Sequence, residues 1–166
     1  MSTTETLSPL LDRDIEDMTR RLLDKAAERD LRLATAESCT GGMLASLLTD
    51  VKGSAHAFER GFVTYSEESK TDLLGVPAAL IDEKGAVSRE VAIAMAEGAL
   101  EHSRAHIALS ITGFADDGEV PGLVHFPCPR AGRTTTHREE HFGPVGRGAT
   151  RVRSMRVAVE MMTELL

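Results

Sequence analysis

The chain has 166 residues, 42% apolar and 27% charged, with a formal net charge of −7. That is enough chain for one domain with a substantial core, and the composition is not that of a disordered segment. The acidic balance argues against a general nucleic-acid or anionic-membrane binder, which would carry a basic face. No apolar run approaches a bilayer span and no basic-apolar leader opens the sequence; the two cysteines make no disulfide framework, so a reduced cytoplasmic setting is expected.

Residues 1–11, small and polar with Pro9, read as a loose tail, leaving one domain over 12–166. Ile15, Met18, Leu22, Leu23 and Ala26 recur at helical spacing after an acidic start, predicting a helix to about Asp30. Leu31–Ala36 reads as a strand and Gly41–Thr49 as a helix. Gly61–Tyr65, within a segment beginning at Ala55, is rich in strand formers. Ser66 then caps a short helix that Gly75 and Pro77 close. Pro77–Gly85 is expected as a loop or short turn, and Ser88 as the cap of a helix running to about Ser103. Ala105–Thr112 is a nearly unbroken apolar run, the signature of a strand buried on both faces. Gly122–Phe126 and Thr134–Phe142 read as a hairpin, with Pro127 and Pro129 interrupting the ladder because proline has no N–H to give it. Gly146 to Leu166 carries Val152, Met155, Val159 and Met162 at helical spacing.

Helices alternating with strands, then a hairpin, predict a three-layer α/β/α sandwich on a mixed, mostly parallel sheet. In such sheets ligands sit beyond the carboxyl ends of the strands. Three polar clusters fall there: Glu37-Ser38-Cys39-Thr40-Gly41-Gly42, Tyr65 with Lys70, and Thr112-Gly113. The first is a strand-to-helix turn, where backbone N–H groups lack intrahelical partners and two glycines admit a close ligand. Ser38 and Cys39 are rival nucleophiles there, with His56 or His106 a conceivable base for the thiol. By residue type alone, Ser38 or Thr40 is equally a helix cap, and Lys70 an exposed helix lysine beside Glu67 and Glu68. Cys39 reads as a small buried apolar group, and Arg151, Arg153 and Arg156 as a solvated face. His125, His137 and His141 have no recognised zinc spacing, so no metal is assigned.

Thr35–Gly42, Gly53-Ser54, Tyr65-Ser66 with Lys70, Leu74–Pro77, Gly85–Ser88, Met95–Gly98 and Thr112-Gly113 stand in an order and spacing that resembles the CinA C-terminal domain family. The resemblance runs from about residue 14 to the end and is to the stand-alone form, without the molybdopterin-binding-like domain of longer relatives. It implies a nicotinamide-nucleotide amidase, which hydrolyses the carboxamide of nicotinamide mononucleotide to nicotinic acid mononucleotide and ammonia, without metal or cofactor. Residue by residue, it implies that Ser38 is the nucleophile, Lys70 its general base and Tyr65 a helper in proton transfer. Thr40, Gly41 and Gly42 would offer amides to an oxyanion or phosphate, with Cys39, Thr112 and Gly113 around the substrate. Glu37 would orient Lys70 or bind ribose, or be a satisfied structural carboxylate. Arg147 is the nearest counterpart of a family arginine at the site. Relatives generally self-associate, so a homodimer is expected, with a small nucleotide as the ligand and neither nucleic acid nor membrane as partner.

Three stretches depart from the family pattern. The loop after Gly113 is short, with Asp116-Asp117 where a Gly-Pro pair is usual, and with Glu119 it brings three carboxylates that would repel a phosphate. Pro127-Cys128-Pro129 breaks the hairpin, and Gly143–Gly148 replaces a Gly-Asp-Arg. These changes leave two other readings: a catalytically degenerate member that binds a nucleotide or a protein, and an amidohydrolase for a less anionic amide.

Overall fold

The structure, a computed structural model, describes residues 11–166; the expected tail, residues 1–10, lies outside them. Leu11, assigned to that tail from the sequence, is buried against the core. Five strands, β1 (Leu33–Glu37), β2 (Phe58–Val63), β3 (Ile107–Gly113), β4 (Leu123–Cys128) and β5 (Thr136–His141), form one sheet in the order β2-β1-β3-β4-β5. β2, β1 and β3 run parallel, and β4 and β5 add antiparallel. The expected mixed α/β architecture is therefore observed.

Helices α1 (Arg13–Glu28), α2 (Met43–Thr49) and α6 (Arg147–Glu164) cover one face; α3 (Glu67–Leu74), α4 (Ala78–Lys84) and α5 (Arg89–Glu101) cover the other. Alternation along the strands sorts the core between the two layers. Leu33, Ile107, Leu109, Ile111, Val124 and Phe126 face α1, α2 and α6. Ala34, Ala36 and Ala108 face α3, α4 and α5, and these small side chains let that layer sit close. The closeness is greatest at Gly98, where a Cβ would come within 2.0 Å of the Leu74 carbonyl oxygen.

Ser66 and Ser88 cap as expected: each hydroxyl accepts the amide hydrogen three residues on, from Ser69 and Val91. Gly75 ends α3 with φ +68°, a conformation that suits glycine. Two expectations are corrected. Residues 78–84 form helix α4 rather than a loop, because Ala-Ala-Leu-Ile is helix-forming and Ile81 buries against α3 and α5. Pro127 does not interrupt the hairpin: β4 runs through it, with Pro127 opposite His137. Its missing N–H falls on the β3 side, between the Thr112↔His125 pair and the Ile107↔Arg130 bridge, where no ladder pair is made.

Candidate active site

Ser38, Thr64 and Gly113 follow or end adjacent parallel strands β1, β2 and β3, so the three polar clusters meet at one edge of the sheet. Ser38 continues the β1 pairing, its N–H donating to the Ile111 carbonyl, and is almost fully buried. Lys70, one turn into α3, points back under this edge with no exposed surface. Its Nζ lies 3.1 Å from Ser38 Oγ, 2.6 Å from the Thr64 carbonyl oxygen and 3.3 Å from that of Tyr65.

These contacts fit the nitrogen in either protonation state, since an ammonium would give one N–H to each of the three oxygens. A neutral amine has two N–H bonds for the two carbonyls and one lone pair left for the Ser38 hydroxyl hydrogen. Burial pushes the Lys70 pKa below its ordinary value, while the charge of Glu67 opposes the shift. Among the described residues no carboxylate forms an ion pair with it. Burial without a paired anion favours the base form, against the two carbonyl acceptors, which favour the ammonium.

Glu37, fully buried, proves to be a brace. One carboxylate oxygen accepts from Thr40 Oγ1 at 2.7 Å and the Leu44 N–H at 2.8 Å, and the other from the Ala45 N–H at 3.0 Å. It satisfies the first amides of α2 with charge of the favourable sign and ties down the loop that carries Ser38. It makes no hydrogen bond to Lys70. Gly41 and Gly42 have φ of +59° and +95°, so the loop needs residues that accept the left-handed region. The Thr40 and Gly42 N–H groups make no hydrogen bond among the described residues.

The other expected residues are placed as follows. Cys39 is buried, and burial pushes its thiol up to about 11, so it stays protonated and poorly nucleophilic near neutrality. Neither proposed base reaches it: His56 contacts the Gly53 carbonyl, and His106 Nδ1 meets the Arg32 N–H at the opposite end of the sheet. The Tyr65 side chain is 72% exposed, and the residue meets Lys70 through its carbonyl rather than its phenol. Thr112 Oγ1 donates to the Ala86 carbonyl, fastening the loop before α5, while Gly113 has the Leu123 carbonyl where a Cβ would lie.

Arg147 pairs with Asp117 at 3.7 Å and so ties the acidic loop to the start of α6. The arginine at the Ser38 loop is Arg151, read from the sequence as part of a solvated face. Its Nη2 donates to the Thr40 carbonyl at 2.9 Å, while its Nε is buried without a partner. It forms one wall of a mostly apolar cleft of about 570 Å3 between the loop, α2 and α6, which does not reach Ser38 or Lys70. A second group missed by motif reading is His125 with His137, whose ring nitrogens meet at 3.1 Å across β4 and β5. Register was the available signal, since 137, 139 and 141 share one strand face. Among the described residues no three His, Cys, Asp or Glu side chains are placed to hold a metal ion.

A family model described as the CinA C-terminal domain matches residues 15–166. CinA-like proteins of Citrifermentans bemidjiense and Syntrophobacter fumaroxidans are 55% and 43% identical over 109 and 135 residues, covering 65% and 77% of this chain. Those stretches are 26% and 32% of the two relatives, so the chain spans roughly a quarter to a third of their length. A crystal structure of the competence/damage inducible protein CihA from Agrobacterium tumefaciens is 40% identical. It superposes with a TM-score of 0.90 over 93% of this chain and 97% of that one. A competence-damaged protein (CinA) superfamily structure from Escherichia coli is 32% identical, with a TM-score of 0.85 over 100% of this chain and 94% of that one.

Proposed function

The chain belongs to the CinA C-terminal domain family, and from that membership and the Ser38–Lys70 contact we propose that it is a Ser-Lys amidase. Its substrate in this reading is nicotinamide mononucleotide, and its products are nicotinic acid mononucleotide and ammonia. The observation that carries the proposal is a fully buried lysine, unpaired by any carboxylate among the described residues, held 3.1 Å from a serine hydroxyl at the strand ends.

Amide hydrolysis then proceeds in two halves. Ser38 Oγ attacks the carboxamide carbon while its hydrogen passes to the Lys70 lone pair. The unpartnered Thr40 and Gly42 amides are the donors for the oxyanion. The proton on Lys70 is returned to the amide nitrogen, the C–N bond breaks, and ammonia leaves an ester on Ser38. Water, deprotonated by Lys70, attacks that ester; the carboxylate product leaves and Ser38 recovers its proton. The Tyr65 phenol, making no hydrogen bond to either residue, has no required step here; the Tyr65 carbonyl helps to aim the amine.

The test is ammonia release from nicotinamide mononucleotide by the purified chain, with Ser38→Ala as control. Turnover by the natural chain and none by the variant supports the reading; equal turnover overturns it. A second reading rests on the exposed Asp116, Asp117 and Glu119 beside Gly113, which favour a less anionic amide. Release of ammonia from an uncharged amide, but not from the mononucleotide, would select it.

A further inference from the structure

The register of the sheet carries a polar row away from Ser38 on the side opposite Lys70. Glu37 pairs with Ile111, so Ser38 stands beside Thr112; Thr112 pairs with His125, and His125 with Glu139. Directly paired residues share a face, and this face is the one that α3 and α5 cover. His125 is 5% exposed, and its Nδ1 meets His137 Nε2 at 3.1 Å, with the ring centroids 5.3 Å apart and 29° between the ring planes. With strands about 4.8 Å apart, His125 on β4 lies about 10 Å from Ser38, two strands along the sheet, and His137 on β5, opposite Pro127 and so one side-chain step off the row, about 14 Å from it.

The contact restricts what the pair can offer. One ring must donate and the other accept, so the two remaining nitrogens always comprise one donor and one acceptor, whichever tautomer is present. Neither His125 Nε2 nor His137 Nδ1 makes a hydrogen bond among the described residues. A donor beside an acceptor suits a hydroxyl-bearing group, which gives one hydrogen bond and receives one. It suits a phosphate poorly, because phosphate oxygens only accept.

We propose that His125 and His137 form the sugar-recognising wall of the substrate site, binding the ribose hydroxyls of a nucleoside amide whose carboxamide lies at Ser38. This rests on the amidase reading above. The groups facing the pair are Glu139 and His141 of β5 and Arg89 and Glu90 at the start of α5. Burial lowers the pKa of both rings, with Glu139 opposing the shift at each and Glu90 also at His125; the charges of His141 and Arg89 at His125, and of His125 and Arg89 at His137, act in the same direction as burial. Protonating both would leave donors only and break the contact.

The experiment compares the natural chain with His125→Phe and His137→Phe, each checked for folding by circular dichroism. Ammonia release is followed from nicotinamide mononucleotide and from nicotinamide riboside, which keeps the sugar and lacks the phosphate. The expected result is a KM raised about tenfold or more for both substrates, the scale of one lost polar contact, with kcat within about twofold. KM of the natural chain also rises as pH falls, and the variants lose that dependence, which a purely structural role would not produce. An unchanged KM in both folded variants overturns the proposal, as does a rise confined to the mononucleotide, which would mean that phosphate is read. Should the natural chain release no ammonia, the amidase reading fails by itself and calorimetric binding of the riboside decides. Binding lost in the variants upholds the wall; binding that is unchanged, or absent from the natural chain, overturns it.

Discussion

Lys70 and Ser38 lie 32 residues apart in the chain and 3.1 Å apart in the fold, their contact made beneath the carboxyl ends of β1 and β2. The amine is held by dipoles alone, the Thr64 and Tyr65 carbonyls, and its own charge finds no counter-ion among the described residues. Such an arrangement is costly for a structural lysine and suited to a base.

Removing the amine therefore separates activity from stability. Lys70→Met, similar in length and without the polar end, is expected to lower kcat by about 10³-fold or more while leaving thermal stability equal or higher. Ser38→Ala gives the same loss of turnover, and the double variant is no worse than either single one, because the two act as a unit. A Lys70→Met protein that keeps its activity would sink the assignment.

The lowered Lys70 pKa also sets the sign of two pH dependences. Turnover needs the neutral amine, so kcat/KM rises with pH through the folded-state pKa of Lys70 and then levels. Between that value and the ordinary lysine pKa the unfolded chain binds the extra proton, so stability also rises with pH in this window. Denaturant titrations across the window should show that slope in the natural chain and a smaller one in Lys70→Met.

Cys39 sits beside the nucleophile with a buried thiol pushed up to about 11. Cys39→Ala should retain turnover within a few-fold, and iodoacetamide at pH 8 should modify the native chain far more slowly than the unfolded one. Loss of activity in the alanine variant, with Ser38→Ala still active, would transfer the nucleophile to the thiol.

Glu37 and Arg151 hold the Ser38 loop from opposite sides, through α2 and through the Thr40 carbonyl. Glu37→Ala leaves buried donors unsatisfied and is expected to cost about 2–4 kcal/mol in chemical denaturation. Glu37→Gln costs less, keeping one acceptor while turning an amide NH2 toward one of the α2 donors. Arg151→Ala should lower kcat/KM more than Arg147→Ala, whose side chain serves only the exposed pair with Asp117. Equal effects at the two arginines would remove Arg151 from the site.

Much of the chain order was legible, because helical spacing, strand composition and caps such as Ser66 and Ser88 are local properties. The turn at Glu37–Gly42 could likewise be placed at a strand end from its glycines and the apolar helix behind it. The helix at 78–84 was missed because seven residues between Gly-Val-Pro and Gly carry too little periodicity to tell helix from turn. Pro127 misled because its penalty depends on which neighbour its missing N–H would have faced.

By itself, the sequence determined an α/β domain with polar clusters at the strand ends, and Ser38 among the residues able to attack. Only the tertiary structure decided what those residues meet. Whether Lys70 is a solvated helix lysine or a buried base depends on how α3 docks against the sheet, and whether Arg147 or Arg151 serves the loop on the rotation of α6. Whether His125 touches His137 depends on strand register. Each is a contact between segments far apart in sequence, and local residue preferences carry no information about which distant partners will share a surface.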